Sequence, residues 1–247
     1  METLVFIWNN GPSILRMLVE HLELVAVGVG CAILTGVPLG VAISAHERSA
    51  KVVLYVAAIL MTIPSVALFG LLIPVLSMIG QGIGFLPAVI ALFLYSQLPI
   101  VRNTYAAIRN LDPALREAAN GMGMTTRQRL FKVEMPIAMP IIMAGIRMAV
   151  VINIGIAAIA TYIGAGGLGR LISRGISQSD SRQLIAGALI VGGLAIVADF
   201  GLALVQRRLT PAGLRTARLP LLSARLGGRN RRASASGLER PTIAESR

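Results

Sequence analysis

The sequence predicts an all-α, polytopic membrane protein with about five transmembrane helices. Hydrophobic residues make up 55% of the 247 residues, charged residues make up 14%, and the mean hydropathy is +0.75. A soluble domain is typically about 25% charged. The apolar residues also form long blocks, and residues 52–101 contain no charged side chain. This pattern excludes a soluble enzyme, a nucleic-acid-binding domain and a disulfide-stabilised scaffold.

Each long apolar block is a candidate span, because a helix needs about 20 apolar residues to cross the hydrocarbon core. The candidate spans cover residues 22–45, 52–79, 84–108, 136–163 and 183–206. The second block contains Pro64 and Pro74, so it could form one kinked, tilted helix or two shorter passes. We favour one pass, because a further crossing would move the next basic loop to the outer side.

The basic residues predict the orientation, since cytoplasmic loops are enriched in Lys and Arg. With the N-terminus outside, the segments 46–51, 102–135 and 207–247 are cytoplasmic and hold eighteen of the 23 basic residues. The outer segments hold four, and Arg147 is intramembrane. The sequence therefore predicts an outer N-terminus and a cytoplasmic C-terminus, with the protein in the cell inner membrane.

The two ends of the chain differ from the apolar region 22–206. Residues 1–21 read as an interfacial helix that leads into the first span, with Trp8 near the lipid headgroups. Residues 207–247 hold ten arginines against two glutamates and few large apolar residues, so we expect a disordered tail. Its expected partner is anionic membrane lipid rather than nucleic acid.

The sequence offers no site for covalent chemistry. A phosphate-binding loop of the form G-x-x-x-x-G-K-[ST] does not occur, so the chain would need a separate ATPase to energise any transport. His21 and His46 lie far apart, and Cys31 is the only cysteine. We therefore expect no catalytic residue, no metal site and no cofactor.

The cytoplasmic segment 109–136 has the features of two short helices joined at a glycine corner. Asp112 is a suitable N-cap, and Pro113 fits the first helical position. Gly121 and Gly123 can both adopt left-handed conformations and end this first helix.

A second helix starts at once, because Thr125-Thr126-Arg127-Gln128 fits a capping box. We expect it to stop before Pro136, since proline disfavours a helical conformation at the preceding residue. The two helices would offer apolar side chains to a groove on a partner: Leu115, Leu130 and Phe131. Charged side chains would form the rim of that contact: Arg116, Glu117, Arg127 and Arg129.

The same segment carries a motif at fixed spacing. It consists of Glu117-Ala118-Ala119, three residues, Gly123, nine residues, then Val133-Glu134-Met135-Pro136. This resembles the EAA loop of ABC importer permeases, which reads EAA, three residues, Gly, nine residues and Ile-x-Leu-Pro. The spacing matches throughout, and Val133 and Met135 keep apolar side chains where the family has Ile and Leu. The resemblance implies that the loop couples the permease to an ATPase subunit.

Three further segments are similar to the osmoprotectant branch of these permeases: residues 98–105, 144–147 and 163–169. The similarity covers about residues 20–205. It implies the fold of MetI-like ABC permeases and the import of glycine betaine, choline, carnitine or related compounds. It also implies three protein partners, namely a cytoplasmic ATP-binding subunit, an extracytoplasmic solute-binding protein and a second permease chain.

Two other functions remain open at this point. One is an ABC importer permease for another small solute, such as an amino acid. The other is an ion-driven secondary carrier, which would need membrane acids on a coupling path and would leave the loop motif without a purpose. Asp199 is the only acid deep inside a predicted span, so the carrier is the weaker alternative.

Two sets of residues stand out inside or beside the spans. Arg147 and Asp199 are intramembrane charges, which are costly unless they are paired or functional, and we expect them to pair. Gly164, Gly166, Gly167 and Gly169 formally match G-x-G-x-x-G, but an apolar span precedes them instead of the strand that a dinucleotide site requires. We expect either a flexible outer turn or a close-packed outer gate, and the resemblance favours the gate.

Overall fold

The computed structural model describes residues 2–210, and all regular elements within that range are helical. The α-helices are α1 (Glu2–Asn9), α2 (Gly11–Ile43), α3 (Glu47–Thr62), α4 (Ser65–Ser77), α5 (Phe85–Arg109), α6 (Pro113–Gly121), α7 (Thr126–Arg129), α8 (Met135–Ile159), α9 (Gly169–Ser177) and α10 (Ser181–Leu209). A π-helical turn, Leu130–Glu134, joins α7 to α8, and a 3₁₀ turn, Ala160–Ile163, follows α8.

Four stretches of helix are long and apolar enough to cross a membrane by themselves. They are α2, α5, the continuous run Thr126–Ile163 that contains α8, and α10. The pair α3 and α4 meets the same criterion together but is bent by 98° between its two halves. The predicted second span is therefore a broken helix.

The broken pair runs along α5 from one end to the other. Ala50 at the start of α3 packs with Val101 in the C-terminal half of α5. Phe69 in α4 packs with Val89 in the N-terminal half of α5. The pair therefore follows α5 over most of its length. Counted as one broken span, it brings the candidate spans within residues 2–210 to five, the number that the apolar blocks predicted.

Proline explains where the second span breaks. Ile63 precedes Pro64 and has an extended backbone, as expected for a residue before proline. The Tyr95 hydroxyl on α5 donates a hydrogen bond to the Ile63 carbonyl oxygen, which the break has left without a helical partner. The sequence predicted a kink here, and the observed bend is far larger than a kink.

Two boundaries differ from the sequence-based expectation or fall outside the described residues. Helix α2 starts at Gly11, with Pro12 in its first turn, and runs unbroken to Ile43, so no helix boundary lies at residue 21. His21 is fully buried within this helix, which places it in the core and not at an interface with lipid. Arg207 and Arg208 belong to α10, and the rest of the predicted tail lies outside the described residues except Leu209 and Thr210.

Helix α5 lies at the centre of the core and packs closely against α2 on one side. A Cβ added at Gly40 would lie 2.6 Å from the Thr104 Cβ, and one added at Gly28 would lie 2.7 Å from the Leu92 Cβ. These glycines let the two backbones approach, as small residues do at helix contacts in membranes.

Helix α8 packs on α5 in the same way, since a Cβ added at Gly145 would lie 2.6 Å from the Pro99 carbonyl oxygen. At the outer end, the Gly84 amide donates to the Ile163 carbonyl oxygen at 2.8 Å, which joins the start of α5 to the end of α8. The loop that contains α6 and α7 therefore lies at the opposite, cytoplasmic end of the same two spans.

Candidate functional site

The candidate site is the cytoplasmic loop between α5 and α8. Its first helix, α6, begins as the sequence predicts. The Asp112 carboxylate accepts a hydrogen bond from the Ala114 amide at 2.9 Å, and Pro113 occupies the first turn. This cap satisfies one of the amides that a helix start leaves free.

Helix α6 ends in a Schellman motif. The Met124 amide donates to the Ala119 carbonyl oxygen at 3.1 Å, and the Gly123 amide donates to the Asn120 carbonyl oxygen at 2.9 Å. Gly123 has a φ of +74°, whereas Gly121 is the last residue of the helix and is absent from the positive-φ positions. The prediction that both glycines are left-handed is therefore wrong for Gly121, because one left-handed residue completes the motif.

The second helix, α7, starts with the predicted capping box. The Gln128 amide donates to the Thr125 hydroxyl at 3.3 Å, and the Thr125 amide donates to the Gln128 side-chain oxygen at 2.9 Å. Both ends of the corner between α6 and α7 are thus held by local hydrogen bonds, which fixes the shape of the loop.

The prediction that this helix stops before Pro136 is wrong. The chain passes from α7 through the π-helical turn directly into α8, with Pro136 in the first turn of that helix. The Met135 amide reaches back five residues to the Leu130 carbonyl oxygen. The π turn lies directly before Pro136, and such a local change of the helical hydrogen-bond pattern is one way in which a membrane helix accommodates a proline.

Two of the arginines that the sequence assigned to a partner's rim are turned inward instead. Glu134, at the end of the π turn, is only 5% exposed. Its Oε1 atom lies 3.0 Å from Arg116 Nε and 3.1 Å from Arg129 Nε. Both guanidinium groups are needed to compensate the buried carboxylate, so they are not available as exposed rim residues.

The outer surface of the loop combines apolar and charged side chains. Phe131 is 68% exposed, and Leu115 and Met122 are also exposed. Glu117 and Arg127 lie exposed beside them. Leu130, predicted to be presented outward, is half-buried and packs against the main core. A surface of this composition is typical of a protein interface with apolar contacts and a polar rim.

The motif residues fall into an outer and an inner group. Glu117, Ala118 and Gly123 are exposed on α6 and the corner, while Ala119 is buried beneath them. Val133, Met135 and Pro136 are half-buried in the continuous helix, and Met135 packs against the main core. The motif therefore spans both the surface of the loop and its junction with α8.

Arg147 and Asp199 lie face to face between α8 and α10. Arg147 Nη2 donates to both carboxylate oxygens of Asp199 at 2.8 Å, and Nε donates to Oδ1 at 3.0 Å. Arg147 Nη1 also donates to the Gln206 side-chain oxygen at 2.7 Å, and the Gln206 amide donates to the Pro140 carbonyl oxygen at 2.6 Å. These bonds connect two spans inside the membrane, where an unpaired charge is costly.

The glycine-rich turn lies at the outer end and packs closely against α2. Gly164, Gly166 and Gly167 have φ values of +79°, +87° and +79°. A Cβ at Gly169 would overlap the Ala158 carbonyl group. The Glu20 carboxylate accepts from the Gly167 amide at 3.1 Å and lies 3.0 Å from Arg170 Nη2. The turn is therefore held in one conformation by backbone geometry and by a charged anchor from α2.

Sequence reasoning missed several polar residues that organise these regions. Asn153 and Ser96 are fully buried, and Asn153 Nδ2 donates to Ser96 Oγ at 2.7 Å across α8 and α5. Glu134 lies within the motif, at the position where the family pattern Ile-x-Leu-Pro allows any residue. Glu20 lies in the segment 1–21, for which the sequence predicted only an interfacial helix. For the two glutamates, the available signal was an acid beside apolar residues. One arginine partner of each is distant in sequence, since Arg116 lies 18 positions before Glu134 and Arg170 lies 150 positions after Glu20.

Comparisons with known proteins agree with this architecture. Residues 32–211 match the family described as the inner membrane component of binding-protein-dependent transport systems. The chain is 57% identical to the osmoprotectant import permease OsmW of Salmonella typhimurium, over 87% of this chain and all of that protein. It is 41% identical to the choline transport permease OpuBB of Bacillus subtilis, over 85% of this chain and 94% of that one.

Solved structures give the same fold. A chain from an inward-facing structure of the MetNI methionine ABC transporter matches with a TM-score of 0.72 and 24% identity, covering 80% of this chain and 96% of that one. A chain from an amino acid ABC transporter solved with histidines matches with a TM-score of 0.68 and 22% identity, covering 83% and 97%. The extent of the family match and the identity to these relatives show that this chain belongs to the inner membrane permeases of binding-protein-dependent transport systems.

Proposed function

We propose that this permease works in an ATP-driven importer, with a cytoplasmic ATP-binding subunit docked on the loop that contains α6 and α7. The observation that carries this is the loop itself: two capped helices hold Leu115, Met122 and Phe131 exposed at the cytoplasmic end of two spans. Exposed apolar side chains together with charged ones on the same loop favour a docking surface for a protein partner. The chain provides the pathway, and the partner supplies ATP hydrolysis.

The rest of the assembly follows from the same family. A second permease chain, identical or paired, completes the pathway, and an extracytoplasmic binding protein delivers the solute to the outer end. The glycine turn at residues 164–169 lies at that outer end, and we propose that it forms part of the outer gate. Its close packing against α2 supports a gate more than a flexible turn.

The proposed solutes are osmoprotectants such as glycine betaine, choline and carnitine. Support comes from relatives at 41–57% identity that are named as osmoprotectant and choline permeases. The amino acid transporters among the structural matches share only 22–24% identity and support the fold alone.

We further propose that the binding protein, and not this chain, selects the solute. A quaternary ammonium group is recognised by a cage of aromatic rings through cation–π contacts. The chain has eleven aromatic residues, and the exposed ones are far apart in the sequence, such as Trp8, Tyr55 and Phe200. Phe69 is buried in the core and is not available to a solute.

Reconstitution tests the proposal directly. The permease is placed in liposomes with a candidate ATP-binding subunit and a candidate binding protein from the same organism, and uptake of labelled glycine betaine, choline, carnitine, histidine and methionine is compared. We expect ATP-dependent uptake of the first three that persists when ionophores collapse all ion gradients. Uptake of amino acids alone would replace the solute assignment, and uptake driven by an ion gradient without ATP would contradict the importer.

A further inference from the structure

Glu134 lies at the junction between the cytoplasmic loop and α8, and its environment is unusual. It is the last residue of the π-helical turn, it is 5% exposed, and its carboxylate contacts two guanidinium groups. Arg116 comes from α6 and Arg129 comes from α7. A single buried acid thus contacts both helices of the loop from the start of a membrane span.

The two arginines extend these contacts further. Arg116 Nη2 donates to the Ile108 carbonyl oxygen at 2.7 Å, near the C-terminal end of α5. Arg129 Nη1 donates to the Asn120 side-chain oxygen at 2.8 Å, near the end of α6. The network around Glu134 therefore joins the end of α5, both loop helices and the start of α8.

The π turn determines where the Glu134 side chain points. One extra residue in a helical turn rotates everything that follows by about 100° relative to an uninterrupted α-helix. Here the extra residue lies immediately before α8. Side chains at equivalent helical positions in α7 and α8 therefore point in different directions. Glu134 meets the two arginines on the inner side, while Phe131, three residues earlier, remains exposed.

A network of this kind holds together only when complete. Removal of the carboxylate would leave two partly buried guanidinium groups close together without a counter-charge, which is strongly unfavourable. An intact network therefore resists relative movement of α6, α7 and the start of α8. A force applied to the exposed surface of the loop would move these elements as one body.

We propose that Glu134 is the positioning residue that fixes the loop to α8, so that displacement of the loop by its partner is transmitted to the span. The inference rests on the proposed function for its purpose, but the rigid connection is a property of this chain alone. Glu117 is exposed on α6, so we do not expect it to hold the loop in place.

The first test measures the connection without any partner. In a Cys31→Ser background, spin labels are attached through cysteines introduced at Ala114 on α6 and Ile141 on α8, both of which are exposed. Pulsed electron resonance then gives the distribution of distances between the labels. We expect a narrow distribution in the parent protein, a clearly broader one in Glu134→Gln, and no change in Glu47→Gln, which removes an exposed acid on α3.

Three further variants sharpen this test. Glu117→Gln should leave the distribution narrow, because this residue is exposed on the loop surface. Arg129→Gln keeps the contact of Arg116 with Glu134 and should broaden the distribution less than Glu134→Gln. The double variant Glu134→Gln with Arg129→Gln should give a narrower distance distribution than Glu134→Gln alone. It removes one of the two arginines and so relieves the repulsion between them. A distribution that stays narrow in Glu134→Gln would overturn the proposal.

The second test uses the complete transporter and measures solute taken up per ATP hydrolysed. We expect this ratio to fall about tenfold in Glu134→Gln, since the loop would then move without α8. Glu134→Asp, which keeps the charge, should recover part of the loss, and Glu47→Gln should match the parent. Equal ratios in Glu134→Gln and the parent would also overturn the proposal. A broadened distribution in a protein that never requires ATP would instead contradict the proposed function and leave the rigid connection standing.

Discussion

Two kinds of residue stabilise this permease: charged side chains that form pairs, and glycines that adopt left-handed backbone conformations. The Arg147–Asp199 pair illustrates the first kind, because each guanidinium nitrogen that faces Asp199 donates to its carboxylate, and Gln206 takes a further hydrogen bond. The Asp199 side chain is still 44% exposed on the surface of α10. Either charge alone would be costly within a span.

We predict that the two charges compensate each other. Arg147→Ala or Asp199→Ala alone should lower the amount of folded permease, because a lone charge within a span costs about 2.5–3.5 kcal/mol. The double variant should recover part of the loss, since no unpaired charge remains. A double-mutant cycle on membrane abundance measures the interaction. Strictly additive losses would show that the two side chains act independently.

Gly123 illustrates the second kind and has a matched control in Gly121. A Cβ at either position would meet nothing within 4 Å, so only the backbone conformation differs. Gly123→Ala should destabilise the end of α6 by about 1–2 kcal/mol, because L-residues disfavour φ near +74°. Gly121→Ala replaces a helical glycine and should be neutral or slightly stabilising. Limited proteolysis of the loop in membranes compares them, and equal rates would contradict this account.

Specific side-chain contacts fix the segments that connect the helices. The glycine turn before α9 is held by Glu20 of α2, which accepts from the Gly167 amide and pairs with Arg170. This contact lies at the outer end, opposite the network around Glu134. At each end of the bundle, a carboxylate therefore helps to hold a connecting segment in place.

Removal of the outer contact should loosen the turn. In Glu20→Gln, amide hydrogen exchange across residues 164–170 should accelerate about tenfold, because a hydrogen bond to a charged group contributes about 1.5–3 kcal/mol. Glu23→Gln, three residues along α2 and exposed, is the matched control and should leave exchange unchanged. Mass spectrometry of exchanged peptides gives the rates. Unchanged exchange in Glu20→Gln would show that backbone geometry alone holds the turn.

The sequence predicted those elements whose signals are local. The cap at Asp112 and the capping box at Thr125 depend on residues within three positions of each other, and both are present. The expected helix end before Pro136 was wrong, because the π turn Leu130–Glu134 lets the helix continue through the proline. The role of Glu134 was not visible, since Arg116 lies 18 positions earlier and only the folded loop brings them together.

For the whole molecule, the long apolar blocks were sufficient to predict the spans: within residues 2–210, four helices can cross a membrane alone and the bent pair α3–α4 brings the number to five. The orientation inferred from the basic residues stays a prediction. The central position of α5 was harder to predict from the sequence, because it depends on glycines of α2 and α8 that let both helices approach α5. Residues 211–247 lie outside the described structure and outside the similarity to the family except at residue 211. The segment 207–247 holds ten arginines, of which Arg207 and Arg208 lie in α10.

We predict that this tail is dispensable for transport. Truncation after Pro211 should keep most solute uptake at ordinary salt, because the family match ends there. The arginines that this truncation removes would be attracted to anionic lipid. Each charge is worth about 1 kcal/mol, and salt screens the attraction. Uptake by full-length and truncated permease in liposomes with and without anionic lipid makes the comparison. Complete loss of uptake by a stably inserted truncation would refute dispensability.

The most direct test of the central claim is a crosslink between the loop and the ATP-binding subunit. In the Cys31→Ser background, Phe131→Cys places a thiol on the exposed surface of the loop, and Tyr162→Cys places one at the outer end with similar exposure. With a short photoactivatable thiol reagent in intact membranes, we expect Phe131→Cys to crosslink to the ATP-binding subunit and Tyr162→Cys not to do so. A crosslink from neither position, in membranes that still import solute with ATP, would contradict the assignment of the loop.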